Sequence, residues 1–236
     1  MTCLARVLAF LLALAGPAAA GTVAAGDHDA FWLWAGVRPQ PALARAERVY
    51  LLQGEVTGRA ARYEARRPAV PRVAGVEVWM VVRTETLAWT PEVYAAVLRA
   101  LSDWRAAGNR VAGLQIDFDA RTRGLAGYAG FLRDLRTRLP EETRLGVTGL
   151  LDWSANADPA GLDALSGAVD EAVLQIYQGQ HVIPGYAAYL RRLGRLRVPF
   201  RIGLLQDGEW TPPPGLTAEP MFRGYVVFLR NPVGDR

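Results

Sequence analysis

The acidic and amide side chains of one short segment carry the clearest chemical pattern in this sequence. Across residues 111–119, Gln115, Asp117 and Asp119 alternate with apolar residues. Because successive side chains of a β-strand point to opposite faces, all three polar groups share one face. Two carboxylates held close together cannot both ionise cheaply, which raises the pKa of one of them. The segment is therefore a candidate for acid–base chemistry.

Polar and aromatic side chains recur at or just beyond the ends of other apolar runs. Gln175 and Tyr177 share one face of residues 172–177, opposite Leu174 and Ile176. The remaining candidates of this kind are Gln53, Glu55, Arg83, Glu85, Asp152, Trp153, Gln206, Glu209 and Trp210. Aromatic faces stack on the C–H groups of sugar rings, while acids and amides bond with hydroxyl groups. Together these residues predict a saccharide-binding surface.

The elements that must position these groups are short apolar strands separated by helical segments. Eight runs rich in β-branched, leucine and aromatic residues predict strands over residues 31–34, 49–53, 76–82, 111–118, 145–150, 172–177, 200–205 and 225–229. Amphipathic segments predict helices over residues 90–107, 125–139, 159–165 and 186–193. The first of these helices has Thr90 as its N-cap, Pro91 at its first position and Gly108 as its stop.

Eight strands that alternate with helices predict a small (β/α)8 barrel rather than an open sheet. An open α/β sheet remains the alternative, although no glycine-rich phosphate loop follows any predicted strand. Too few residues follow the last strand to form the eighth outer helix, and residues 54–75 contain proline and glycine where a helix is expected. In a barrel the apolar face of residues 111–119 must meet the helices. The acids and amide then point inward, toward the C-terminal mouth where barrel enzymes react.

The N-terminal residues have the pattern of a secretory signal peptide. Arg6 precedes an apolar run over residues 7–15, and small residues at 17–20 form a cleavage site. We expect residues 1–20 to be removed, residues 21–30 to be flexible and residues 31–236 to form one barrel domain in the periplasm or outside the cell. An uncleaved N-terminal anchor is the alternative. The single cysteine, Cys3, leaves with the signal, so no disulfide or thiol chemistry is expected.

Composition and spacing argue against several other functions. The chain has 27 basic and 23 acidic residues without a nucleic-acid-binding motif, so no nucleic-acid partner is predicted. Asp117 and Asp119 could together hold Ca²⁺ or Mg²⁺, but no further regular oxygen ligands follow, and we predict no metal and no cofactor. Each could also have a structural role, by capping a helix or pairing with Arg121 or Arg123.

The segment of residues 112–119 resembles the fourth-strand motif of family 18 glycoside hydrolases, the chitinase-like barrels, which reads D-G-x-D-x-D-x-E. Gly113, Asp117 and Phe118 match this motif, whereas Ala112 and Gln115 replace two acids. Asp119 stands where the family has its catalytic glutamate. On the sixth strand, residues 175–178 are similar to the family's M-x-Y-D and keep only the tyrosine.

Over its whole length after the signal, the chain more closely resembles the uncharacterised bacterial domain-of-unknown-function family 3142. The phrases that carry this resemblance are F-W-L-W at 31–34, L-L-Q-G-E at 51–55, Q-I-D-F-D at 115–119, T-G-L-L-D-W-S at 148–154 and Q-I-Y-Q-G at 175–179. The resemblance implies a glycosidase-like barrel and brings no established reaction.

The leading hypothesis is hydrolysis of a glycosidic bond in a cell-wall or extracellular polysaccharide. Asp119 is the expected general acid, Asp117 tunes it and Tyr177 orients the substrate. An N-acetyl group of the sugar could act as nucleophile; otherwise Glu85, Asp152 or Glu209 must supply the second carboxylate.

Because the change from glutamate to aspartate shortens the acid by about 1.5 Å, a barrel that binds saccharide without cleaving it is the alternative. Such a barrel would be an envelope or export accessory protein. A third possibility is a structural role, in which a protein partner covers the flank left open by the missing helix.

Overall fold

The computed structural model describes residues 21–67 and 69–231. Its strands are β1 Gly21–Thr22, β2 Ala30–Leu33, β3 Arg48–Thr57, β4 Arg62–Ala65, β5 Glu77–Thr84, β6 Arg110–Asp117, β7 Arg144–Leu150, β8 Glu171–Gln175, β9 Tyr177–Gln178, β10 His181–Val182, β11 Phe200–Leu205, β12 Glu209–Trp210 and β13 Phe222–Phe228. Eight of them pair in parallel in the closed order β2, β3, β5, β6, β7, β8, β11, β13 and back to β2. The predicted barrel is confirmed, and each of its strands overlaps one of the eight predicted runs.

Five α-helices occur in the described residues, and they lie between the later strands. They are α1 Pro91–Ala106, α2 Leu125–Arg136, α3 Trp153–Asn156, α4 Pro159–Ser166 and α5 Tyr186–Leu190. Proline stands at the start of α1 and of α4, as the sequence indicates. Only the helix predicted over residues 186–193 is clearly shorter in the structure than in the prediction, because a 3-10 turn replaces its last part.

Two separate apolar layers follow from the alternation of side chains along the barrel strands. One layer fills the barrel and includes Trp32, Tyr50, Trp79, Val173 and Phe228, all fully or almost fully buried. The other lies between the strands and the helices and contains most of the remaining buried apolar residues. The barrel is thus a packed core, so that ligands can reach it only at its ends.

The repeat of strand and helix breaks at two places that the sequence also marks. After β3 the chain forms an antiparallel hairpin with β4 where a helix is expected. After β13 no helix is present among the residues described, which end at 231. On the outer face of β13, Tyr225 instead meets the rings of Trp210 and His28, at centroid distances of 5.8 Å for both pairs.

The N-terminal residues 21–30, which the sequence predicts to be flexible, include the short strand β1 and the first residue of β2. β1 pairs with β12, and the buried Val23 forms backbone hydrogen bonds with Asp207 and Gly208. These residues help to cover the flank on which an eighth helix would lie. The expected signal peptide at residues 1–20, with Cys3, lies outside the described residues. Within the part of the chain that is described, no helix is long and apolar enough to cross a membrane.

Candidate functional site

The polar face of β6 points into the barrel, as the alternation predicts. Gln115 and Asp117 are 0% and 1% exposed, whereas Leu114 and Ile116 pack in the layer between strands and helices. Asp119 lies two residues beyond the end of β6, and its side chain is 62% exposed. The two carboxylates therefore lie at different depths, one inside the barrel and one at its mouth.

A single guanidinium group joins these two carboxylates. Arg83, near the end of β5, pairs in register with Asp117 of β6. One of its nitrogens lies 3.0 Å from Asp117 Oδ2 and another lies 3.3 Å from Asp119 Oδ2. The guanidinium also lies 5.5 Å from the centre of the Trp34 ring, within cation–π distance. Arg83 thus fixes the relative positions of both acids.

At both Asp117 and Arg83, burial and the neighbouring opposite charges shift the pKa in opposite directions. Burial raises the pKa of Asp117, and the Arg83 guanidinium and a hydrogen bond donated by the Thr148 hydroxyl oppose this only in part. Burial also disfavours the charge of Arg83, but the carboxylates of Asp117, Asp119 and Glu55 outweigh it and raise the pKa of Arg83. The guanidinium therefore stays charged beside an acid that resists ionisation.

Gln115 lies one layer below Asp117 in the barrel. Trp32 Nε1 donates a hydrogen bond of 2.8 Å to Gln115 Oε1. The side-chain nitrogen of Gln115 is buried and has no hydrogen-bond partner within the described residues. Gln115 is thus a buried polar group of the interior, and it does not line the cavity at the mouth.

A cavity of about 410 Å³ opens at the C-terminal ends of β5 to β8. The predicted site residues that line it are Arg83, Asp119, Asp152, Gln175 and Tyr177. Arg121, Gln178 and Tyr189 add further polar groups to its wall, and Leu150, Leu151 and Ile183 add apolar ones. Carboxylates, amides and phenols around an open cavity provide both the hydrogen bonds and the ring contacts that a sugar requires.

Gln175 and Tyr177 lie on the inward face of the strand that the sequence predicts. Gln175 Nε2 donates to the Tyr177 hydroxyl at 3.4 Å, and the Tyr177 ring meets Phe228 edge-on at 5.0 Å. Burial, followed by the charge of Asp117, raises the pKa of Tyr177 well above its ordinary value. The tyrosine is therefore a neutral, rigidly held hydroxyl at the edge of the cavity.

Asp152 follows β7 and brings a second acid to the same cavity. Its Oδ1 atom is buried, with no hydrogen-bond partner in the described part of the chain. Burial raises the pKa of this carboxyl, and only its own backbone amide opposes the shift. Of the three candidates for a second carboxylate, Asp152 alone lines the cavity with Asp119.

The structure places Gln53 and Trp153 away from the cavity, in the layer that faces the helices. The register of β3 shifts between Leu52 and Gly54, so that Gln53 occupies a bulge. Gln53 accepts a hydrogen bond of 3.0 Å from Trp104 of α1. Trp153 is fully buried, and its Nε1 donates to the Ala120 carbonyl at 2.8 Å. Both residues serve packing, which corrects their predicted role as ligand contacts.

Five further candidates lie near the rim but make other contacts. Glu55 pairs with Arg66 at 2.6 Å, and Glu85 accepts from the Gly58 backbone at the tip of the β3–β4 hairpin. Gln206 bonds with Gln40 and with the backbone of Arg230. Glu209 and Trp210 form β12, and Trp210 stacks on Tyr186. None of the five lines the cavity.

Thr148 and Trp34 are functional candidates that sequence reasoning does not single out. Thr148 is a buried hydroxyl on β7 that bonds with Asp117. A threonine within a strand that is otherwise buried and apolar is a usable signal, but its partner is visible only when β6 and β7 are paired.

No group of three or more histidine, cysteine or acidic residues is arranged to hold a metal ion in the described ranges.

The fold and this site define a (β/α)8 barrel with carboxylates at its C-terminal mouth. Residues 75–185 match the sequence model of the family described as "Domain of unknown function (DUF3142)", which confirms the resemblance to that family. The matched segment runs from β5 to the loop before α5, and it contains Arg83, Asp117, Asp119, Asp152 and Tyr177. A search of curated proteins gave no match to this sequence.

Several solved structures are similar to this chain at low sequence identity. The xylanase and alpha-amylase inhibitor protein XAIP-II from Scadoxus multiflorus is 13% identical, with a TM-score of 0.52 over 85% of this chain and 92% of that one. The chitinase domain of the spore coat protein CotE from Clostridium difficile is 11% identical, with a TM-score of 0.48 over 87% and 72% of the two chains.

A third similar structure is the spore cortex-lytic enzyme SleL from Bacillus cereus. It is 14% identical and has a TM-score of 0.46, with 75% of this chain aligned to 49% of that one. This chain thus spans about half the length of SleL.

Proposed function

We propose that this protein is an exported glycoside hydrolase that cleaves a cell-wall or extracellular polysaccharide in the cavity at the C-terminal mouth of the barrel. The observation that carries this proposal is the position of Asp119. Its carboxylate projects into the cavity and is bound by Arg83, which also holds the buried acid Asp117. The expected signal peptide supports export to the periplasm or the medium.

The wall of the cavity supports a saccharide as ligand. A sugar ring presents hydroxyl groups at its edge and C–H groups on its faces. Gln175, Gln178 and Asp152 offer amide and carboxylate partners to the hydroxyls. Tyr189 offers aromatic surface for the ring, and Tyr177 adds a phenol group to the wall.

The contacts of Asp119 also bear on its chemical role. The sequence predicts Asp119 as the proton donor, with Asp117 tuning it. In the structure Asp119 Oδ2 accepts a hydrogen bond from Arg83, an arrangement that fits a carboxylate base more directly than an acid. Asp117 acts on Asp119 through the shared guanidinium, which makes it a positioning residue.

The test is a reducing-end assay on cell-wall and exopolysaccharide fractions, with the wild type and Asp119→Asn. Removal of a general acid or base lowers rates by roughly 10²- to 10⁴-fold, and we expect a loss of kcat/KM in that range. Asp163→Asn is the matched control, because Asp163 is a surface acid on α4 that lies 3.8 Å from Arg197. Turnover that survives Asp119→Asn would remove the catalytic assignment.

Binding of saccharide without cleavage is the second candidate function. It is favoured by the double pairing of Arg83, which already occupies both Asp117 and Asp119 and could hold them in a purely structural role. Isothermal titration with oligosaccharides from the same fractions separates the two. Binding by a wild type that shows no turnover would establish this candidate and contradict hydrolysis.

A further inference from the structure

Asp152 stands at a position where a structural role for an aspartate would be expected, yet it does not perform that role. It directly precedes α3, where aspartate side chains commonly accept hydrogen bonds from the first backbone N–H groups. The side chain of Asp152 makes no such bond, and its backbone has helical angles of −72° and −11°. By contrast Asp158, which precedes α4, accepts from the Gly161 N–H at 2.8 Å.

Asp152 also lacks the guanidinium partner that other acids of this site have. Asp117 and Asp119 both bond with Arg83, whereas no salt bridge to Asp152 occurs among the described residues. Its Oδ1 atom is buried and lacks a hydrogen-bond partner in the same part of the chain. A buried polar atom without a partner opposes folding, so the position requires a reason other than stability.

The surroundings of Asp152 disfavour the charged form of its carboxyl group. Leu150 and Leu151 precede it, and Ile183 lies on the same cavity wall. Burial is the largest influence on the Asp152 carboxyl and raises its pKa. A carboxylic acid in a partly apolar wall, in the same cavity as an ion-paired carboxylate, is the kind of arrangement by which glycosidases separate a proton donor from a base.

Resting on the proposed function, we propose that Asp152 is the proton donor of this site and that Asp119 is the carboxylate base. The Asp152 carboxyl gives its proton to the glycosidic oxygen, and the bond between that oxygen and the anomeric carbon breaks with its electrons on the oxygen. A water molecule adds to the anomeric carbon, and its proton passes to Asp119. Solvent then returns a proton to Asp152 and removes one from Asp119, so that one water is consumed per bond.

The test compares Asp152→Asn and Asp152→Glu with the wild type on the fraction that the wild type hydrolyses. We expect Asp152→Asn to lower kcat/KM by roughly 10²- to 10⁴-fold. It should also abolish the alkaline limb of the pH profile, because that limb reports loss of the donor's proton. Asp152→Glu should restore part of the rate and the limb. Asp158→Ala is the control for a loss of capping, and it should lower stability without removing the alkaline limb.

Two further measurements separate a proton donor from a residue that only supports the fold. A 4-nitrophenyl glycoside of the released sugar needs little protonation of its leaving group, so Asp152→Asn should be much less impaired on it. Because water attacks directly, NMR of the first product should show inversion at the anomeric carbon. Retention would overturn the role of Asp119 as base.

Failure of this inference is distinguishable from failure of the proposed function. A wild type without turnover on any fraction overturns the proposed function and this assignment with it. A wild type that cleaves, and an Asp152→Asn variant that keeps both the rate and the alkaline limb, overturn the assignment of Asp152 alone. The assignment is likewise overturned if a fall in the folded fraction of Asp152→Asn at the assay temperature accounts for all of its lost rate.

Discussion

At the scale of single residues, Arg83 organises the candidate site. One guanidinium bonds with an acid inside the barrel and with another at its mouth, and it lies against the ring of Trp34. Arginine suits this position because its planar fork presents several donors and its charge persists when partly buried. Sequence alternation predicts that Gln115 and Asp117 point inward. The link to Arg83 depends on the register between β5 and β6, which the sequence does not reveal.

The raised pKa of Asp117 predicts a dependence of stability on pH. Its ordinary value is 3.8 and burial raises it in the folded protein, so the folded state binds this proton more tightly than the unfolded state. The contribution of Asp117 to stability is therefore complete below pH 3.8 and is lost as pH rises through the raised value.

Urea unfolding of the wild type and of Asp117→Asn across this range provides the test. The unfolding free energy of Asp117→Asn, relative to that of the wild type, should rise with pH. Asp163→Asn should follow the wild type throughout, because Asp163 is a surface acid. If the unfolding free energies of Asp117→Asn and the wild type change with pH in parallel, the raised pKa of Asp117 is contradicted.

At the scale of elements, one extra residue in β3 decides which side chains reach the mouth of the barrel. Tyr50 and Leu52 face the barrel interior, so a strict alternation would turn both Gln53 and Glu55 toward the helices. The bulge between Leu52 and Gly54 instead brings Glu55 into register with Arg83, while Gln53 keeps its contact with Trp104 of α1. Bulges shift the alternation by one position and leave little trace in a single sequence. The direction of Gln53 thus follows from the alternation of β3 before the bulge, and the bulge acts on Glu55.

Close contact between strands at Gly113 leads to a prediction about β6. A Cβ atom at this position would lie 2.5 Å from the Arg144 carbonyl oxygen and 2.6 Å from the Trp79 ring. Gly113→Ala should therefore lower the unfolding free energy by about 1–3 kcal/mol, the usual effect of overpacking. Thermal and urea unfolding measure the loss.

A matched glycine on a helix provides the control. Nothing lies within 4 Å of a Cβ atom built at Gly130, in the middle of α2. Gly130→Ala should raise the unfolding free energy by about 0.5–1 kcal/mol, because alanine loses less backbone freedom in a helix. Equal effects of the two substitutions would mean that β6 and β7 are not packed as closely as described.

At the scale of the whole molecule, the two ends of the barrel differ in charge and in role. Its N-terminal end carries a network in which Glu171 lies 2.8 Å from Arg48 and 3.1 Å from Arg201, and accepts a hydrogen bond from Tyr50. These residues belong to β8, β3 and β11, so the network joins strands across the barrel. A cavity of about 560 Å³ lined by Arg48 and Glu77 lies at this N-terminal end, whereas the C-terminal end holds the cavity lined by Asp119 and Asp152. In enzymes of this fold, reactions take place at the C-terminal end and the N-terminal end contributes mainly to stability.

Removal of the charge of Glu171 should destabilise the entire barrel. Its side chain is 9% exposed, and Glu171→Gln would leave the guanidinium of Arg201 without its acid. Loss of one partner from a buried pair lowers the unfolding free energy by roughly 3 kcal/mol or more. Glu142→Gln is the control, because Glu142 pairs with Arg105 but is 70% exposed. Its effect should stay below about 1 kcal/mol, and a similar loss for both variants would contradict the role of the network.

The sequence alone determined the barrel and the direction of its polar strand faces. Both follow from local alternation and from the order of strands and helices, and for this reason residues such as Asp117, Gln175 and Tyr177 were correctly placed on inward faces. Only the tertiary structure decided which of the polar residues beyond strand ends share a cavity. It brought Asp119 and Asp152 to one cavity, and it left the following predicted residues outside that cavity: Gln53, Glu55, Glu85, Trp153, Gln206, Glu209 and Trp210. The reason is physical: strand register, a bulge and the path of each loop bring together side chains far apart in sequence, and no local pattern records those distances.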